Sequence, residues 1–234
     1  MTEQLYAGDA YLRHCEARVT GVDEGIILDR TVFYPMGGGQ PGDTGSLRRT
    51  DGTLVPIVDT RKADNNRVLH LPAADAPTLT PGETVVAEID WPRRYRHMRM
   101  HTCLHLLCAV VGAGVTGGAI ATDRGRLDFD LPESTLDKAT LSEALRVLIE
   151  ADHPVRERWI SDAELDAQPE LVRTLSVQPP RGAGRVRLLE VEGVDLQPCG
   201  GTHVARTGEI GAVRVSKIEK KSRHNRRVVV SFED

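Results

Sequence analysis

Two fragments, about ninety residues apart, carry the side chains with the most chemistry: His101-Thr102-Cys103-Leu104-His105 and Cys199-Gly200-Gly201-Thr202-His203. Each sets two candidate zinc ligands four positions apart. On a helix, residues i and i+4 share one face, so His101 and His105 would present their imidazoles together. In the second fragment the glycines permit the tight turn that brings Cys199 and His203 to one point. Imidazole nitrogen and thiolate sulfur suit zinc, and four such donors match its tetrahedral demand. Taken singly, the pairs would read as surface histidines and a buried cysteine; together they predict one Zn²⁺ held by His101, His105, Cys199 and His203. Cys103, two positions from each histidine, is read as packing. Four protein ligands describe a closed site, whereas catalysis usually keeps a position open. The sequence leaves both a displaced ligand and an expanded shell in play.

The elements that must position these residues change character along the chain. Residues 9 to 90 read as short strands (Tyr11–Thr20, Gly25–Asp29, Thr53–Val58, Arg67–Leu71, Thr84–Ile89) broken by Gly, Pro, Asp and Asn turns, a small barrel or sandwich. Trp91-Pro92 marks a boundary, which predicts two domains, 1–90 and 91–234. Beyond it, Arg96 to Val111 suits a helix ended by the Gly112–Gly118 stretch. Thr140-Leu141-Ser142-Glu143 has the form of a capping box before a second amphipathic helix, and Ser161-Asp162-Ala163-Glu164 opens a third. Strands are expected over Arg185–Val191, Glu209–Lys220 and Arg227–Phe232. The whole reads as α+β, with an antiparallel sheet in the second part.

At 234 residues, with 40% hydrophobic and 27% charged residues, the chain has the composition of a soluble globular protein. Aromatics at 4% argue against a stacking platform for single-stranded nucleic acid, and a net charge of −4 against a bulk polyanion binder. Charge is local instead. Arg214 to Arg227 holds seven Lys or Arg against one Glu, and Arg93, Arg94, Arg96 and Arg99 stand in a run without acids. Such runs are usually solvated faces, but two in an acidic chain suit a localised phosphate footprint. His97, one turn before His101, is read with its arginine neighbours as RNA-facing or solvated. No apolar run spans a bilayer, the N-terminus lacks signal-peptide character, and the cysteine spacing shows no disulfide framework. A cytoplasmic location without membrane association is expected, and a monomer is plausible.

These motifs resemble the editing domain of alanyl-tRNA synthetase. The glycine-rich stretch Thr31-Val-Phe-Tyr-Pro-Met-Gly-Gly-Gly-Gln-Pro-Gly-Asp-Thr-Gly45 is similar to a motif of the barrel preceding that domain. Gly117-Gly118, Gly125-Arg126-Leu127-Asp128-Phe129 and Lys217-Ile218-Glu219-Lys220-Lys221 through Arg227 extend the likeness over about residues 9 to 232. The chain looks like a freestanding alanyl-tRNA editing protein of the AlaX type. The resemblance implies an N-terminal β-barrel followed by an α/β sandwich-like editing domain. It also implies a hydrolase that deacylates alanine-specific tRNA mischarged with serine or glycine, without ATP. His101, His105, Cys199 and His203 would be both metal and catalytic residues. Thr116 occupies the family's place for a hydroxyl-sensing residue, while Gly38, Gly39 and Gln40 would lie near the editing site. Related sequences often carry glutamine where this chain has Ala119. Arg93, Arg94, Arg96, Lys217, Lys220, Lys221, Arg223, Arg226 and Arg227 are the expected tRNA contacts. Rival readings are editing of threonine-specific tRNA, a zinc-stabilised RNA-binding module without catalysis, and a zinc hydrolase acting on a small ester.

Overall fold

The computed structural model describes residues 1–132, 136–174 and 184–234. They form two compact units, Met1–Arg96 and His97–Asp234. The architecture is α+β.

The first unit contains β1 (Glu3–Gln4), β2 (His14–Gly21), β3 (Ile26–Leu28), β4 (Arg30–Thr31), β5 (Gly45–Arg49), β6 (Leu54–Ala63), β7 (Arg67–Pro72) and β8 (Thr84–Ile89). Six of them close into a barrel in the order β2-β3-β7-β6-β5-β8, while β1 pairs with β4 in parallel. Closure leaves the barrel strands no unpaired edge. Alternation explains the interior: Val85, Ala87 and Ile89 of β8 point inward with Ala17, Val19, Leu47, Val55 and Ile57.

The glycine-rich stretch forms a hairpin turn in this unit. Gly37 N donates to Gln40 O at 3.1 Å and Gln40 N to Gly37 O at 3.0 Å. Gly38 and Gly39 between them have φ of 57° and 84°. Two successive left-handed residues make the turn that suits strand twist, and glycine takes that conformation without steric cost. Asp43 anchors the stretch by accepting from Tyr34 N at 2.6 Å.

His70 is fully buried; its Nδ1 donates to Ile26 O at 2.9 Å and its Nε2 accepts from Thr31 Oγ1 at 2.8 Å. Both bonds suit the neutral ring, and burial pushes its pKa down to about 4. Between the unfolded value near 6.5 and that folded value, only the unfolded chain takes up the proton. Stability from this group is therefore complete above about pH 6.5 and lost as pH falls toward 4, about 3 kcal/mol in all. Urea titrations from pH 7 to 4 should show this slope in the wild type and a shallower one in His70→Asn.

The division between units falls inside α1 (Trp91–Val111), which starts five residues before the expected Arg96. Asp90 Oδ1 accepts from Arg93 N at 3.1 Å, so the helix begins at once after Asp90. Pro92 sits in the first turn, where a missing N–H costs nothing, and so starts the helix rather than breaking the chain.

The second unit adds β9 (Val115–Ile120), β10 (Arg124–Asp130), α2 (Lys138–Glu150), β11 (Val155–Ser161), α3 (Asp162–Asp166), β12 (Arg185–Val191), β13 (Asp195–Pro198), β14 (Val213–Lys220) and β15 (Asn225–Phe232). Two antiparallel sheets result, β14-β15-β10-β9 and β11-β12-β13. The first packs closely on α1. A Cβ at Gly125 of β10 would lie 2.7 Å from Met100 Cγ, so only glycine allows this approach to the histidine-bearing helix. The expected cap of α2 at Thr140 is corrected: Asp137 is the N-cap and accepts from Thr140 N, three residues before the motif. Asp137 has the extended backbone of an N-cap (φ −106°, ψ 132°), so the helix begins three residues earlier than the motif suggests. The box at Ser161 and Glu164 forms as expected, capping α3.

Candidate metal centre

Helix α1 carries His101 and His105 on one face, and the loop leaving β13 carries Cys199 and His203. Their donor atoms all lie within 4.8 Å of one another. Cys199 Sγ is 3.5 Å from His101 Nε2 and 3.2 Å from His203 Nε2. Neighbouring donors around tetrahedral zinc, at ordinary bond lengths, stand about 3.3–3.6 Å apart. Three imidazoles and one thiolate so arranged can hold a metal ion.

Protonation is prepared for the same purpose. Burial would push the Cys199 thiol up, but the surrounding imidazoles, His101 foremost, stabilise the thiolate by electrostatic contact and hydrogen bonds and hold it well below its ordinary value. The thiolate is the form that binds metal. His203 is held well below its ordinary value by burial and by His101, so its ring stays neutral. Burial also opposes charge on His105, yet the carboxylate of Asp195 and the Cys199 sulfur raise it to about 9. Metal binding must displace that proton.

Hydrogen-bond arithmetic fixes the His203 tautomer. Thr102 Oγ1 gives its one hydrogen to Met98 O at 3.0 Å and accepts from Val204 N at 3.3 Å. Its remaining lone pair accepts from His203 Nδ1 at 3.2 Å, which leaves Nε2 free as a ligand atom. Arg187 organises the glycine loop: its Nη1 donates to Cys199 O at 3.0 Å and Gly201 O at 2.8 Å, while Nη2 pairs with Glu157. Thr102, Arg187, Asp195 and Gln197 were not singled out from the sequence. The spacing of Asp195 and Gln197 ahead of Cys199 puts both on one side of a strand, a signal that could have found them. Cys103 is fully buried, and burial pushes its thiol up to about 12, which makes it inert packing.

The other expected residues fall in several places. Gly38, Gly39 and the buried Gln40 belong to the turn of the first unit. Thr116 lies on β9; its hydroxyl donates to Asp128 O at 3.1 Å and accepts from Asn225 Nδ2 at 2.8 Å. Lys217, Lys220, Lys221 and Arg223 are exposed on β14 and the turn after it. Arg227 is engaged by Asp128, through Nε at 2.7 Å and Nη2 at 2.9 Å. Arg93 reaches Gly42 O at 2.7 Å, and Arg96 is half-buried.

Three expectations are corrected. Arg94 is not a surface cation: its side chain is 0% exposed, pairs with Asp43, and donates to Val32 O at 2.6 Å and Ala10 O at 3.1 Å. Arg226 is buried too, donating to Pro132 O at 2.9 Å and Ser222 O at 3.0 Å. Neither guanidinium can meet a phosphate from these positions. His97 is 1% exposed, neither RNA-facing nor solvated, because the helix turns that position inward.

Comparison with known proteins places the chain in a family. Residues 186–229 match the model of the threonyl and alanyl tRNA synthetase second additional domain, and residues 8–93 that of class II (A) tRNA synthetases. The alanyl-tRNA editing protein AlaX-M of Methanosarcina acetivorans is 39% identical over the full length of both chains. Its counterpart in Saccharolobus solfataricus is 34% identical over 97% of this chain and 98% of its own. An alanine–tRNA ligase of Saccharolobus islandicus is 36% identical over 94% of this chain but only 25% of the ligase. The chain belongs to the AlaX-M family of alanyl-tRNA editing proteins. Among the described residues no helix is long and apolar enough to cross a membrane.

Proposed function

We propose that this protein hydrolyses the ester of alanine-specific tRNA mischarged with serine or glycine, with Zn²⁺ held by His101, His105, Cys199 and His203. The observation that carries this reading is the convergence of those four donors in a chain aligned end to end with alanyl-tRNA editing proteins. The need for such an activity is physical. A synthetase pocket sized for alanine cannot strongly reject glycine, nor a serine that adds one hydroxyl, since such differences are worth about 1–3 kcal/mol.

A zinc ion held by His101, His105, Cys199 and His203 would supply fixed positive charge to orient and polarise the aminoacyl ester. Hydrolysis adds water's oxygen to the ester carbonyl carbon and breaks the bond to the terminal ribose oxygen, which takes the proton. The ester is already activated, so orientation and modest charge stabilisation suffice, and no ATP is needed. Four protein ligands favour orienting the substrate over generating the nucleophile. Thr116 has committed its hydrogen to Asp128 O but keeps one acceptor lone pair, so it can recognise a seryl hydroxyl only as a donor. Gly38, Gly39 and Gln40 remain proposed contacts for the aminoacylated end. Lys217, Lys220, Lys221 and Arg223, with Arg93 and Arg96, are the proposed phosphate contacts.

Serine-charged alanine-specific and threonine-specific tRNAs, compared in one assay, test the substrate. Release of serine from the alanine-specific tRNA is expected to be faster. Equal rates, or preference for the threonine-specific tRNA, would move the assignment to the neighbouring synthetase line. No release from either would leave an RNA-binding module.

A further inference from the structure

Asp195 is a buried acid beside the metal cluster that none of the four ligands accounts for. Its side chain is 0% exposed. One oxygen, Oδ2, accepts from His105 Nδ1 at 3.0 Å and from Gln197 Nε2 at 2.7 Å. The other, Oδ1, has no hydrogen bond among the described residues and lies 3.6 Å from Arg173 Nη2. Arg173 also donates through Nη1 to Cys108 O at 3.3 Å, on the helix that carries the histidines. β13 places Asp195 and Gln197 on one side by alternation, so the strand delivers the carboxylate and its clamp together.

A carboxylate only accepts, so the hydrogen between Asp195 and a singly protonated His105 sits on Nδ1. The lone pair of Nε2 is then turned to the cluster. The partner of His105 is an anion, whereas His203 leans on the neutral hydroxyl of Thr102. That difference makes His105 the more basic donor of the two, because a carboxylate behind a ligating imidazole raises its electron density.

We infer that Asp195 is a positioning residue that fixes His105 as its Nδ1–H tautomer and thereby sets metal affinity, with Gln197 and Arg173 holding the carboxylate in place. The inference rests on the metal-site reading above and not on which ester is cleaved.

Two variants of the full chain separate charge from geometry. Asp195→Asn keeps the shape and can keep both hydrogen bonds through its carbonyl; Asp195→Ala removes bonds and charge. Zinc affinity is read by competition with a chromophoric chelator, and the His105 tautomer by long-range ¹H–¹⁵N spectra of the zinc-loaded protein. Asp195→Ala is expected to bind zinc about 10–100-fold more weakly, and Asp195→Asn less than about tenfold more weakly. Wild type and Asp195→Asn should both show His105 protonated on Nδ1. An Asp195→Ala protein within about twofold of wild-type affinity, or a wild-type His105 protonated on Nε2, would overturn the inference. If the alanine variant does not fold, the wild-type tautomer and the asparagine affinity decide. A wild type that takes up no zinc would instead refute the metal site itself, a different outcome from loss of the Asp195 effect alone.

Discussion

Cys199→Ala is expected to lose stoichiometric zinc and, with it, hydrolysis of seryl-tRNA specific for alanine. The sulfur is the one anionic donor among the four and stands within 3.5 Å of two of the imidazoles. It is also the group whose charge, with that of Asp195, raises His105. Removing it leaves three imidazoles facing a dication without a thiolate. Lewis-acid stabilisation worth several kcal/mol corresponds to roughly a thousandfold in rate, so residual activity should fall at least that far. His105→Ala should behave alike. Cys15→Ala, which alters a half-buried cysteine of the barrel unit, should keep one zinc per chain. Metal analysis of the three purified variants, alongside single-turnover deacylation, checks the expectation. Retained zinc and activity in Cys199→Ala would show that sulfur is not a ligand.

The second large effect is on stability. Arg94→Met is expected to destabilise the protein by about 3–5 kcal/mol, because it strands a buried carboxylate without its counter-charge. Asp43 is 2% exposed and receives Arg94 Nε at 3.0 and 2.9 Å through its two oxygens. The carbonyls of Val32 and Ala10 would lose their donor as well. Arg94→Lys should not rescue, since one ammonium cannot make a forked contact with three residues at once. The double variant Arg94→Met with Asp43→Leu should recover much of the loss, because a buried ion pair is often replaceable as a unit. Urea unfolding of the single and double variants measures this. If Arg94→Met unfolded like the wild type but bound tRNA poorly, the guanidinium would be a surface contact after all.

The arginine run shows why part of the molecule was hidden in the sequence. Neighbours on a helix point about 100° apart, so a stretch that is uniformly basic along the chain is not uniformly exposed. Arg94 turns inward toward an acid more than fifty positions earlier, a pairing no local pattern announces. Asp195 was hidden in the same way, its histidine lying on another element. The four metal donors were legible because few residue types bind zinc and the spacings restrict how they converge. Barrel strands such as Arg67–Pro72 and Thr84–Ile89 were legible from alternation. β9 was not: Gly117 and Gly118 sit inside it, and paired glycines read as a turn. β11, Val-Arg-Glu-Arg-Trp-Ile-Ser, is a mostly exposed edge strand whose charges mask any apolar period. Charge on such an edge deters pairing with other chains, which is reason enough for its presence.

The central claim is that four donors from two distant segments hold one zinc ion that serves editing. Its most direct test is hydrolysis of alanine-specific tRNA charged with serine or with alanine, by the protein as purified, after chelation, and after zinc is restored. The account predicts one zinc per chain, rapid release of serine, survival of the alanyl ester, loss of activity on chelation and its return with zinc. Equal cleavage of both esters, or serine release undiminished in metal-free protein, would contradict it.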